Sequence, residues 1–129
     1  MNGPSLRYVP AWTLAGLALL LGVVAGSLVP VPDVPVPIED GDKVLHLLAY
    51  ALLMFWFAQL RVRPSARLIL ALGFTALGIG LEFAQGALGY RQFDPFDAGA
   101  NTLGVAAGWL AAPPRTRHLF EWVESALGR

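Results

Sequence analysis

Residues 8–32 carry no charged side chain, and residues 11–29 are almost wholly apolar. At 1.5 Å per residue, about 20 apolar residues cross a hydrocarbon core ~30 Å thick, so this stretch is long enough to span. A signal peptide is the other home for such a run, and Ala25-Gly26-Ser27 offers small residues near a cleavage point. The flank before the run holds only Arg7, however, and three further apolar stretches follow it. An uncleaved membrane helix is the reading.

The second stretch, 44–60, carries His46 near its start and Gln59 near its end, and the third, 68–90, has Glu82 as its one charge. The fourth, 98–112, stops at Pro113-Pro114, which cannot continue a helix. The second and fourth are short for spans, but each extends into the polar residues before it. Composition agrees: 56% of the 129 residues are apolar and 14% charged, against about 45–50% and ~25% in soluble domains. A water-soluble core of this length could not hide so much apolar surface, and disordered chains are apolar-poor. The expected fold is all-α, an integral membrane bundle of four transmembrane helices.

The Pro-rich segment 30–37 predicts an extended strap between the first two helices. The last fifteen residues place Leu119, Phe120, Trp122, Val123, Ala126 and Leu127 on one helical face, as in a short helix lying in the membrane interface; a frayed tail is the alternative. Residues 1–112 thus form the membrane domain and 113–129 an interfacial, cytoplasmic tail.

Basic residues orient the spans. Arg7 precedes the first; Arg61, Arg63 and Arg67 fill the loop between the second and third; Arg115 and Arg117 follow the fourth. The other two loops hold only Lys43 and Arg91, with most of the acids. Both termini and the middle loop are expected in the cytoplasm, with the strap and the 89–99 loop outside. The balance of nine basic and nine acidic residues gives no footprint for nucleic acid. The absence of cysteine removes disulfides, thiolate metal sites and cysteine nucleophiles.

With this topology most remaining polar residues fall at one outer level. Asp42, His46 and Tyr50 share a face by their spacing of four; Glu82 and Gln85 share another; Asp97, Asn101, Gly104 and Gly108 form a stripe on the fourth helix. Gly104-x-x-x-Gly108 allows close helix approach. An ionisable residue within a span faces the bundle interior and needs a partner, and Arg91, Lys43 and His46 are the candidates for Glu82. Each residue alone has a plain structural role open to it: Asp42 and Asp97 as caps, Lys43 as an interface anchor, Asp94-Pro95 as a turn. Three segments delivering polar groups to one level favour a site.

The ordered set Asp42-Lys43-x-x-His46, Glu82-x-x-Gln85 and Arg91-x-x-Asp94-x-x-Asp97-x-x-x-Asn101-Thr102-Leu103-Gly104-x-x-x-Gly108 resembles the VanZ-like family, over residues 41–108. These are small bacterial membrane proteins named for one that raises teicoplanin resistance. The resemblance implies a cell-envelope role in the bacterial cytoplasmic membrane. It gives no biochemical activity, and the Pro-rich strap lies outside the pattern.

Several chemistries drop out. Ser5, Ser27, Ser65 and Ser125 lie away from the cluster, and His118 lies on the tail, so a serine nucleophile, a His-rich zinc site and a two-histidine phosphatase arrangement are all unsupported. Three readings stand. In the first, Lys43, His46 and Arg91 hold a phosphate or pyrophosphate headgroup while Glu82, Asp94 or Asp97 act as base or as ligands to a divalent cation such as Mg²⁺, on a polyprenyl-phosphate-linked or other envelope lipid. In the second, the same groups bind a lipid or antibiotic without turnover. In the third, Glu82, His46 and Asp97 serve a small proton- or ion-coupled transporter, although the inner halves of the helices offer no relay. Catalytic candidates are therefore Glu82, Asp97 and His46; ligand-binding candidates are Asp42, Lys43, Gln85, Arg91, Asp94 and Asn101.

Overall fold

The computed structural model describes residues 6–28, 41–61, 63–89, 95–113 and 118–128, with the side chains of Gly41 and Asp42 outside that set. The Pro-rich strap, Arg91 and Asp94 also lie outside it. The described residues form five helices and no strand. They are α1 (Val9–Leu28), α2 (Gly41–Leu60), α3 (Pro64–Ala87), α4 (Pro95–Ala111) and α5 (Leu119–Leu127). The helical stretches of α1, α2 and α3 are long and apolar enough to cross a membrane.

The ends follow from local chemistry. α2 takes Asp42 and Lys43 into its first turn, ahead of the apolar run. α3 starts four residues before the expected 68, with Pro64 in its first turn, where the missing N–H would have had no helical partner. Its end comes at Ala87 rather than Tyr90. Leu88 N–H bonds back to the Ala84 carbonyl at 2.9 Å, and Gly89 follows at φ 80°, the left-handed conformation glycine adopts without strain. α4 stops ahead of Pro113-Pro114, as the prolines require.

α2 sits at the centre. Its Tyr50, Leu53, Met54 and Ala58 are buried with Phe74 of α3, Val105 of α4 and Ala112. α2 and α4 run parallel and form the closest helix pair. A Cβ added at Gly104 would collide with the Leu47 carbonyl, and one at Gly108 with the Ala51 carbonyl, so glycine at both positions lets the two backbones touch. α1 packs through Gly16, where a Cβ would meet Trp56 Cδ1 at 2.8 Å and Phe57 Cζ at 2.9 Å. The outer surface is apolar: Leu14, Leu21, Ile69, Leu72 and Leu103 are each more than half exposed, while Gln59, Arg67, Glu82, Gln85, Asp97 and Asn101 are buried. Polar inside and apolar outside reverses the pattern of a protein folded in water.

The end where α2 and α4 finish is closed by α5. Phe120, fully buried, stacks on Trp12 with centroids 4.1 Å apart and meets Trp56 edge-on at 4.7 Å. His118 Nε2–H donates to the Gln59 carbonyl at 2.7 Å, while its Nδ1 accepts the Glu121 N–H at 3.2 Å and caps α5. The Gln59 amide oxygen accepts the Leu119 N–H at 3.0 Å. The expected apolar face is thus only partly used on the bundle, since Trp122 and Leu127 stay exposed. Arg67, assigned from sequence to a loop, lies inside α3 and is 4% exposed. Its guanidinium donates to the carbonyls of Arg61 at 2.7 Å, Pro113 at 2.6 Å and Ala58 at 2.8 Å.

Candidate functional site

The opposite end gathers the polar residues that the sequence placed at one level. Antiparallel α2 and α3 bring the first turns of α2 beside the last turns of α3, and parallel α4 starts beside both. From Pro64, Glu82 lies roughly 27 Å along α3 at 1.5 Å per residue, close to the helix end.

Two carboxylates form the floor. Glu82 is 2% exposed and Asp97 is fully buried. Each faces one nitrogen of α2. Lys43 Nζ stands 3.3 Å from Asp97 Oδ1, and His46 Nδ1 stands 3.8 Å from Glu82 Oε1. The nitrogen-bearing side chains are the accessible members, at 27% for Lys43 and 20% for His46. Lys43 and His46 are three apart on α2 and so share a face one turn apart. Asn101 completes the group: its Oδ1 accepts the His46 Nδ1–H at 3.1 Å. Buried charges persist in such surroundings when paired and hydrogen-bonded.

Of the candidate residues, Lys43, His46, Glu82, Asp97 and Asn101 therefore come together. The Glu82 partner among the described residues is His46. Gln85 lies on the same helix face as Glu82 and is buried, but its Nε2 donates to the Ser27 carbonyl at 2.7 Å, joining α3 to the end of α1. That carbonyl only accepts, so the amide nitrogen must face it and Gln85 Oε1, buried and without a described partner, faces elsewhere. The side chains of Asp42, Arg91 and Asp94 lie outside the described residues. No three His, Asp or Glu side chains among the described residues stand close enough to hold a metal ion.

Two contributors were not singled out from sequence. Gly78, one turn before Glu82, is the floor on which Asn101 rests: a Cβ there would lie 2.9 Å from Asn101 Nδ2. Its spacing of four from Glu82 was the available signal. Ser27 contributes through its backbone, for which residue type gives no signal at all.

No family model matches the chain, and no solved structure matches it. An uncharacterized protein of the fission yeast Schizosaccharomyces pombe is 36% identical over 95 residues, covering 71% of this chain. The chain spans only 57% of that protein's length.

Proposed function

We propose that this chain is a four-span membrane protein of the VanZ-like kind, with both termini cytoplasmic, whose outward-facing cluster binds the phosphorylated headgroup of a membrane lipid. α4, at 17 residues, sits at the lower limit of about 17 for a spanning helix, and the arginines near α1, α3 and α5 support the orientation.

The observation that carries the reading is the pairing of two accessible nitrogens with two buried carboxylates. Asp97 and Glu82 hold Lys43 and His46 side by side at the rim, so little rotamer freedom remains to be lost when a ligand arrives. An ammonium beside an imidazole suits a phosphate oxygen. In this arrangement Lys43 and His46 touch the headgroup, while Glu82, Asp97 and Asn101 position them. In a bacterial cytoplasmic membrane the lipid would be a cell-envelope lipid or carrier-linked wall intermediate, with consequences for glycopeptide susceptibility. With a relative in fission yeast, the proposed ligand is a lipid phosphate common to bacterial and eukaryotic membranes.

The test is mass spectrometry of lipid retained by the protein through purification in detergent. An anionic phosphorylated lipid, enriched on the wild type over its share of the host membrane, supports the reading. Recovery of only detergent and bulk zwitterionic lipid overturns it.

A further inference from the structure

The apolar face that the sequence assigns to the last helix is divided once α5 docks. The helix carries three stripes, each at spacings of three or four, about a third of a turn apart at 3.6 residues per turn. Phe120 and Glu124 face the bundle, the ring on Trp12 and Trp56 and the carboxylate on the start of α1. Glu121 and Ser125 form a polar stripe. Leu119, Trp122 and Ala126 form the third, which is apolar and exposed.

Nine residues rise roughly 14 Å, less than half of a ~30 Å hydrocarbon core, so α5 cannot span. It lies where two other helices end. The Leu119 N–H bonds the side chain of Gln59, one residue before the end of α2, and Glu124 bonds the Tyr8 N–H, one residue before α1 begins. Tyr8 and Val9 are exposed there as well. A tyrosine and a tryptophan on exposed apolar surface, level with the ends of apolar helices, match the aromatic belt of a membrane boundary. Interfacial helices are often rich in Lys and Arg, but residues 119–127 contain neither. The stripe offers apolar area rather than charge.

We infer that α5 docks on two partners at once, the bundle through Phe120 and Glu124 and the boundary between lipid headgroups and acyl chains through Leu119, Trp122 and Ala126. The Glu121–Ser125 stripe stays in water. The lipid contact does not depend on headgroup charge, and it lies at the opposite end from the Lys43–His46 cluster. Because Glu124 also caps α1, the same helix fixes the depth at which α1 enters the membrane.

The chain has no cysteine, so a nitroxide label can be placed at one position at a time. Trp122→Cys, Ala126→Cys and Ser125→Cys are labelled in the full chain and reconstituted into phosphatidylcholine vesicles. Oxygen, which concentrates in lipid, should relax the Trp122→Cys and Ala126→Cys labels several-fold more than a water-soluble nickel chelate does. The order should reverse at Ser125→Cys, although it neighbours Ala126. Vesicles made half of phosphatidylglycerol should give the same ratios. Trp122→Cys removes part of the stripe itself, so Ala126→Cys decides where the two disagree. Preference for the nickel chelate at all three positions overturns the inference by putting the stripe in water. Shielding of the Ala126→Cys label from both reagents overturns it by placing protein over the stripe. Oxygen contact confined to the phosphatidylglycerol vesicles overturns it by making charge the driving term.

Discussion

The indole N–H of Trp12 donates to the carboxylate of Glu124 at 2.8 Å, across 112 positions of sequence. The same carboxylate accepts the backbone N–H groups of Arg7 at 2.7 Å and Tyr8 at 2.9 Å, donors near the start of α1 that the helix itself leaves unpaired. α5 thus supplies α1 with its N-terminal cap, and the buried Phe120 ring fixes the distance between them.

Partial burial pushes the Glu124 carboxyl upward, but the bonds donated by Arg7, Tyr8 and Trp12, with the charge of Arg7, hold it below its ordinary value. A carboxylate depressed in the folded state stabilises it fully above the unfolded pKa and loses that effect as pH falls through the folded one. Glu124→Gln should therefore lower the Tm at neutral pH by an amount that stays constant down to about pH 4.3 and shrinks below it. Thermal melts of both proteins in detergent check this. A gap that widens in acid contradicts it.

Gly104 and Gly22 make a matched pair of tests. A methyl at Gly104 strikes the Leu47 backbone, whereas nothing lies within 4 Å of one at Gly22. Gly104→Ala should destabilise by roughly 1–3 kcal/mol, as overpacking does. Gly22→Ala should be neutral or gain up to about 1 kcal/mol from helix propensity. Unfolding titrations of the two variants measure the difference, and equal effects would mean that the α2–α4 seam is looser than described.

Arg67 holds together the ends of α2 and α4 through three carbonyls. Hydrogen bonds from a charged donor contribute about 1.5–3 kcal/mol each, so Arg67→Met should cost at least roughly 3 kcal/mol. Arg63→Met, at an exposed side chain without a capping bond, should cost under about 0.5 kcal/mol. Chemical denaturation of each variant gives the comparison.

Helix number and type were legible because lipid and a small core both demand long apolar runs, and the runs containing Ala11, Val44, Leu68 and Ala98 each became a helix. Spacings of four and three had put Asp42 with His46, Glu82 with Gln85, and Asp97 with Asn101 on common faces; the structure brings Lys43, His46, Glu82, Asp97 and Asn101 together, while the Asp42 side chain lies outside the described residues. The glycine pair Gly104 and Gly108 behaved as its spacing implies. Arg67 was misread because a charge rule assigns arginines to loops by type, while the start of α3 depends on Pro64. The seat of Phe120 was invisible because a stacking partner 108 positions away leaves no periodic trace. Glu82 was expected to act as a base or metal ligand; the structure places it buried, its carboxylate 3.8 Å from His46 Nδ1.

Sidedness is tested by cysteine labelling. In intact cells an impermeant thiol reagent should modify Gln92→Cys and leave Ser65→Cys unmodified. Labelling of Ser65→Cys alone would invert the topology and put the cluster on the cytoplasmic side.

The most direct measurement is the amount of phosphorylated lipid that stays with the protein through detergent exchange, compared between the wild type, Lys43→Met/His46→Asn and the opposite-end control Arg63→Met. Wild type and control should retain the lipid equally. The double variant should retain roughly tenfold less or lower still, the loss expected when charge-assisted hydrogen bonds are removed. Because it takes these partners from the buried Asp97 and Glu82, it should also melt lower, so retention is compared on folded protein well below its Tm. Equal retention by all three proteins would contradict the claim that Lys43 and His46, held by Asp97 and Glu82, form the headgroup site.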